Sequence, residues 1–73
     1  MLQIDYEDTD AVVEDIRLFH TTIEPRDRTY QSVAGLVRAY AEEINLAEGV
    51  VLDGDRRWQL IKAYTAKYGT EMK

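Results

Sequence analysis

The chain has no cysteine, one proline, one histidine and four isolated glycines in 73 residues. Without cysteine, disulfides and thiolate metal sites are excluded. One histidine leaves too few ligands for an all-protein zinc or copper site. The glycines stand singly at positions 35, 49, 54 and 69, so no Gly-rich phosphate loop is present. No apolar run approaches the ~20 residues that span a bilayer. The N-terminal residues have neither the basic start nor the apolar core of a secretory signal. The cytoplasm is therefore the expected compartment, and no cofactor and no membrane partner are expected.

Base is also missing where acid is concentrated. Residues 1–15 hold Asp5, Glu7, Asp8, Asp10, Glu14 and Asp15 and no Lys or Arg. The whole chain has a formal charge of −5, so with −6 in this stretch the other 58 residues come to +1. What remains is 45% apolar, which fits a globular domain and not a disordered chain. A single small domain over residues 1–73 is expected. Such a chain buries only about 60% of its unfolded surface, so its stability should be small. Disulfides and metals being absent, self-association is the expected reinforcement.

Periodicity predicts an all-α, compact three-helix bundle, with helices at about 10–23, 29–45 and 54–68. In residues 1–8, Leu2, Ile4 and Tyr6 alternate with polar residues, which predicts a short N-terminal extended segment or strand. In the first helix, Val12, Val13, Ile16, Phe19, His20 and Ile23 share a face, with Asp8 or Thr9 as the cap. Pro25 ends it. Asp27 or Thr29 is the expected cap of the second helix. There Tyr30, Val33, Ala34, Leu36, Val37, Tyr40, Ala41 and Ile44 form a broad apolar face, and Asn45 is its expected end. Residues 50–52 read as a buried loop or a brief strand that would pair with residues 2–6. Trp58, Ile61, Tyr64, Thr65 and Tyr68 define the third helix, which Gly69 caps. Residues 70–73 should fray. Trp58 is thus placed in the core, and Trp58→Ala would cost about 3–5 kcal/mol.

No catalytic constellation is visible, and an enzyme is not expected. His20, the one side chain that titrates near neutral pH, lies at the edge of an apolar face as a packed, hydrogen-bonded residue. Its neighbours Thr21 and Thr22 cannot face it on a helix. Asp53-Gly54-Asp55 lacks the alternating ligands and distal glutamate of a calcium loop.

Three features point instead to binding. The first is the acidic segment, with Asp5, Glu7, Asp8 and Asp10 able to steer a basic protein partner. Second, Leu18 and Leu60 point away from the expected core, and Gly35 and Ala39 with Ser32 form a stripe of small residues. Leu18, Gly35, Ala39 and Leu60 are therefore the candidate apolar contact surface. Third, Arg56, Arg57 and Lys67 lie on or near the side opposite Trp58, a candidate nucleic-acid-binding face. The leading expectation is a small acidic protein-interaction module that acts as a regulator, inhibitor or accessory subunit and forms a homo-oligomer. The alternative is a nucleic-acid-binding regulator. The long join between the second and third helices departs from the tight turn of a helix-turn-helix.

Overall fold

The structure is a computed structural model and describes residues 4–72. It is a three-helix bundle: α1 (Thr9–Thr22), a single 3-10 turn (Pro25–Asp27), α2 (Val33–Glu48) and α3 (Gly54–Tyr68). Each helix packs on the other two. There is no strand among the described residues.

Asp8 caps α1, accepting from the backbone N–H groups of Asp10 at 3.1 Å and Ala11 at 3.3 Å. The segment before it is not a strand in its described part. The N–H of Asp8 donates to the carbonyl of Asp5 at 3.0 Å, and that of Glu7 to Asp5 Oδ1 at 3.0 Å. This turn drops Ile4 and Tyr6 against the core; Leu2 lies outside the described residues. Residues 50–52 likewise form a loop, in which Leu52 is buried and Val51 is 78% exposed.

The boundaries of α2 differ from those expected at both ends. Ser32, not Asp27 or Thr29, is the cap, accepting from the N–H of Gly35 at 3.2 Å. The stretch before it stays non-helical, and from there Tyr30 reaches the core. Tyr30 crosses the first turn of α2 so closely that a Cβ on Gly35 would come within 2.8 Å of the Tyr30 Cβ. The C-terminus runs three residues past Asn45, to a left-handed Gly49 with φ of 69°. Gly49 donates to the Asn45 carbonyl at 3.0 Å, and Asn45 Nδ2 donates to the Val50 carbonyl at 3.3 Å. Asn45 thus secures the exit loop and is not the cap.

Helix α3 has the expected limits, and Tyr64 is buried as expected, but the helix is rotated so that Leu60 takes the core place expected for Trp58. Asp53 caps it at 2.8 Å from the Arg56 N–H, and Gly69 closes it at 2.8 Å from the Thr65 carbonyl. Leu60 is 0% exposed in the middle of the core, whereas Trp58 is 58% exposed. At 100° per residue these two lie roughly 160° apart. Ile61, Tyr64 and Tyr68 lie between them on the wheel, so either facing satisfies the periodicity. The core joins Val12, Val13 and Ile16 to the apolar face of α2, with Leu60 and Tyr64 completing it. Phe19, Ile61 and Tyr68 are half-buried around it. Beyond α3, Met72 returns to the core, and its carbonyl accepts from Arg28 Nη1 at 3.3 Å.

Two comparisons test this packing by chemical or thermal unfolding. Leu60→Ala should destabilise by about 2–5 kcal/mol, whereas Trp58→Ala should stay within about 0.5 kcal/mol, as for an exposed site. The reverse order would mean that α3 is turned the other way. Gly35→Ala should be destabilising by about 1–3 kcal/mol, despite the ~1 kcal/mol that alanine adds to an exposed helix.

Candidate binding surface

The structure separates the residues expected to form sites. Of the candidate apolar surface, Leu18 is 60% exposed on α1, but Leu60 is buried and leaves the set. Gly35 is small because Tyr30 passes over it, and Ala39 packs partly against the core. The stripe of small residues is thus occupied largely from within the chain, and Ser32 serves as a cap. His20 is fully buried, with Nδ1 2.7 Å from the Tyr30 hydroxyl and its carbonyl accepting from Arg28 Nη2 at 3.2 Å. It is a packed side chain joining α1 to the loop before α2.

The basic trio is not one outward face. Arg56 Nη1 donates to Thr9 Oγ1 at 2.7 Å and Gln59 Oε1 at 3.1 Å, and Nη2 to the Tyr6 carbonyl at 2.9 Å. Lys67 Nζ lies 2.6 Å from Glu14 Oε1. Both cations clamp α3 to α1 and its leading turn. The acidic segment is divided in the same way. Glu14 takes Lys67 and the Tyr68 hydroxyl, and Asp15 Oδ2 accepts from Tyr40 at 2.7 Å. Asp5, Glu7, Asp8 and Asp10 remain exposed, Asp8 as the cap and Asp5 as acceptor in the turn.

Trp58, expected in the core, stands instead on a surface groove. Trp58 borders a groove of about 490 Å³ between α2 and α3, lined also by Ala34, Arg38, Gly54, Arg57 and Ile61. A second depression, of about 270 Å³, shares Arg57 and continues along α2 past Glu42 and Asn45 to Val51. A third, of about 260 Å³, shares Arg38 and Glu42. Lys62 Nζ stands 5.7 Å from the Trp58 ring centre, a cation–π contact on the exposed side. Arg38 Nε is 3.7 Å from Glu42 Oε1, an exposed pair one helical turn apart. Asp55, one turn before Trp58, is exposed as well. The surface thus has an apolar centre of Trp58, Ile61 and Ala34. Arg38, Arg57 and Lys62 adjoin that centre, and carboxylates stand further out: Glu42 in the neighbouring depressions and Asp55 exposed on the first turn of α3.

Among the described residues, no group of His, Asp or Glu could hold a metal ion, and no helix is long and apolar enough to cross a membrane.

The Glu14 end of the clamp between α1 and α3 is pH-sensitive. The Lys67 hydrogen bond, then that of Tyr68, holds the Glu14 carboxyl below the usual carboxylate range. The Glu14 hydrogen bond raises Lys67 and Tyr68 in turn. A depressed carboxyl stabilises the fold above its unfolded pKa, and that stabilisation disappears as pH falls through the folded value. Raised basic groups contribute below their unfolded pKa and cease to do so as pH rises through the folded one. Glu14→Gln should therefore lower the melting temperature at neutral pH and leave it unchanged in strong acid. A difference that persisted below the carboxylate range would show that Glu14 acts by packing and not by charge.

No protein-family model, curated protein or solved structure matches the chain.

Proposed function

We propose that this chain is a small protein-interaction module of the cytoplasm, acting as a regulator, inhibitor or accessory subunit. Its contact surface is the α2–α3 face around Trp58. The observation that carries this reading is Trp58 itself, 58% exposed at the edge of the α2–α3 groove. Tryptophan is the residue most enriched in the few positions that dominate binding energy. Here its neighbours Ile61 and Ala34 extend the apolar area, and charged groups surround it. The exposed acids Asp5, Glu7, Asp8 and Asp10 supply a separate field that can steer encounter with a basic region of a partner.

A nucleic-acid reading also has one observation in its favour. Arg38, Arg57 and Lys62 stand near an exposed indole, and stacking on an aromatic ring among cations is how single strands are held. Arg56 and Lys67 do not contribute, because they are bonded to α1 and its leading turn. Glu42 and Asp55 oppose phosphate at the same rim. The protein reading is favoured for that reason.

Affinity capture from the native host with the wild-type chain and with Trp58→Ala separates these outcomes. Bound proteins should be retained by the first and lost by the second, with both chains folded. Equal recovery would remove the Trp58 face as the contact surface. A titration with single-stranded and duplex DNA at ~50 mM salt, where phosphate contacts are strongest, should show no binding that weakens with salt. Steep salt dependence that requires Trp58 would favour the nucleic-acid reading instead.

A further inference from the structure

We infer that the occupant of the Trp58 face is a second copy of this chain, seated across a two-fold axis. This rests on reading that face as a protein contact. The argument comes from its charges. Arg38 and Arg57 line the groove and Lys62 stands over Trp58, while Glu42 lines the two adjoining depressions and Asp55 is exposed one turn before Trp58. The Arg57 side chain makes no ion pair among the described residues, and the Arg38–Glu42 pair is long and exposed. A strongly acidic partner would meet the two carboxylates, and a strongly basic one the three cations. The partner that suits this rim has an apolar centre and a rim of mixed sign in the same layout. The surface itself has that description. A two-fold contact places one patch on its own copy, so residue i meets residue j and j meets i. Both carboxylates of one rim are then offered cations of the other, while Trp58 and Ile61 meet their counterparts at the centre.

The dimensions are adequate. Arg57 joins the first depression to the second, Arg38 the first to the third and Glu42 the second to the third, so the face is continuous along α2 from position 34 to position 45. At ~1.5 Å per residue that is about 17 Å, on a molecule whose greatest extent is 27 Å. A specific interface needs about 800 Å² from each partner, roughly one-sixth of the 5169 Å² that this chain exposes.

The test uses sedimentation of the full-length chain over a wide concentration range, with circular dichroism confirming that each variant is folded. Wild type should pass from monomer to dimer, and Trp58→Ala should remain monomeric. Arg38→Glu with Arg57→Glu makes one rim acidic, and Glu42→Lys with Asp55→Lys makes the other basic. Each double variant alone should dimerise about tenfold or more weakly, since like charges then face each other across the axis. An equimolar mixture of the two should recover a heterodimer of near wild-type affinity, because every reversed rim meets an opposite one. A wild-type chain that is monomeric throughout would overturn the inference. So would double variants that dimerise as wild type does, or a mixture that fails to recover. If protein capture still depends on Trp58 in any of those cases, only the identity of the occupant falls. If capture is indifferent to Trp58, the contact-surface reading falls with it.

Discussion

The insertion of Leu60 and Tyr64 between α1 and α2 decides the character of the whole exterior. Both side chains are 0% exposed. On the helical wheel Arg56 and Lys67 flank Leu60 at roughly 20–40°, so burying Leu60 carries both cations to the α1 side. There Arg56 meets the Tyr6 carbonyl and Thr9, and Lys67 meets Glu14, three turns further along. Exposed ion pairs contribute little to stability singly. The Arg56 hydrogen bonds and the Lys67–Glu14 pair, at opposite ends of the helix, still specify its rotation, because turning α3 breaks both together. Trp58 is external as a consequence of this arrangement: it is the side chain left opposite Leu60. The groove, the mixed rim and the displaced basic trio all follow from the one rotation.

The helices were legible because local chemistry marks them. Asp8, Asp53 and Gly69 act as caps or terminators where their residue types favour it, and Pro25 stops α1. The errors arose where distant contacts overrode local pattern. Tyr30 continues the apolar spacing of α2, yet it is held outside the helix by the His20 ring at 2.7 Å and by close passage over Gly35. Ile4 and Tyr6 alternate as strand residues do, but two apolar side chains falling from a turn onto a bundle produce the same short pattern. The facing of α3 was ambiguous because Ile61, Tyr64 and Tyr68 serve either choice, and side-chain size favoured tryptophan. The deciding information lay in Arg56 with Tyr6 and Lys67 with Glu14, some fifty residues apart in sequence. No periodicity records such a pair. The candidate surface was missed for that reason alone, since it consists of what α3 turns outward.

The charge asymmetry has a structural use that limits its reach. Asp8 caps a helix, Asp15 accepts from Tyr40, and Glu14 holds Lys67 and Tyr68. Half of the acids in the first fifteen residues are therefore engaged at the helix end or across helices, and Asp5 accepts within the leading turn. They also occupy Lys67, while the turn they lead occupies Arg56. The segment acts less as a free acidic tail than as the electrostatic counterpart of α3. What remains for long-range attraction is Asp5, Glu7 and Asp10, away from the groove lining.

That separation bears on how the Trp58 face could bind. A mixed rim gives little net attraction at a distance; its effect is to fix register and reject mismatched partners. The affinity must then come from the apolar centre. A tryptophan presents roughly 250 Å², so a little over half of it remains coverable here. At about 25 cal/mol per Å² this is about 3–4 kcal/mol from each copy, or about 7 kcal/mol for a facing pair. Association itself opposes binding by an estimated 4–15 kcal/mol. Trp58 alone thus only approaches balance, and the surplus depends on Ile61, Ala34 and correctly opposed rim charges. An interface so composed is reversible and sensitive to single rim substitutions. In it, aromatic burial determines whether the copies associate, and the alternation of Arg38, Arg57 and Lys62 with Glu42 and Asp55 determines how.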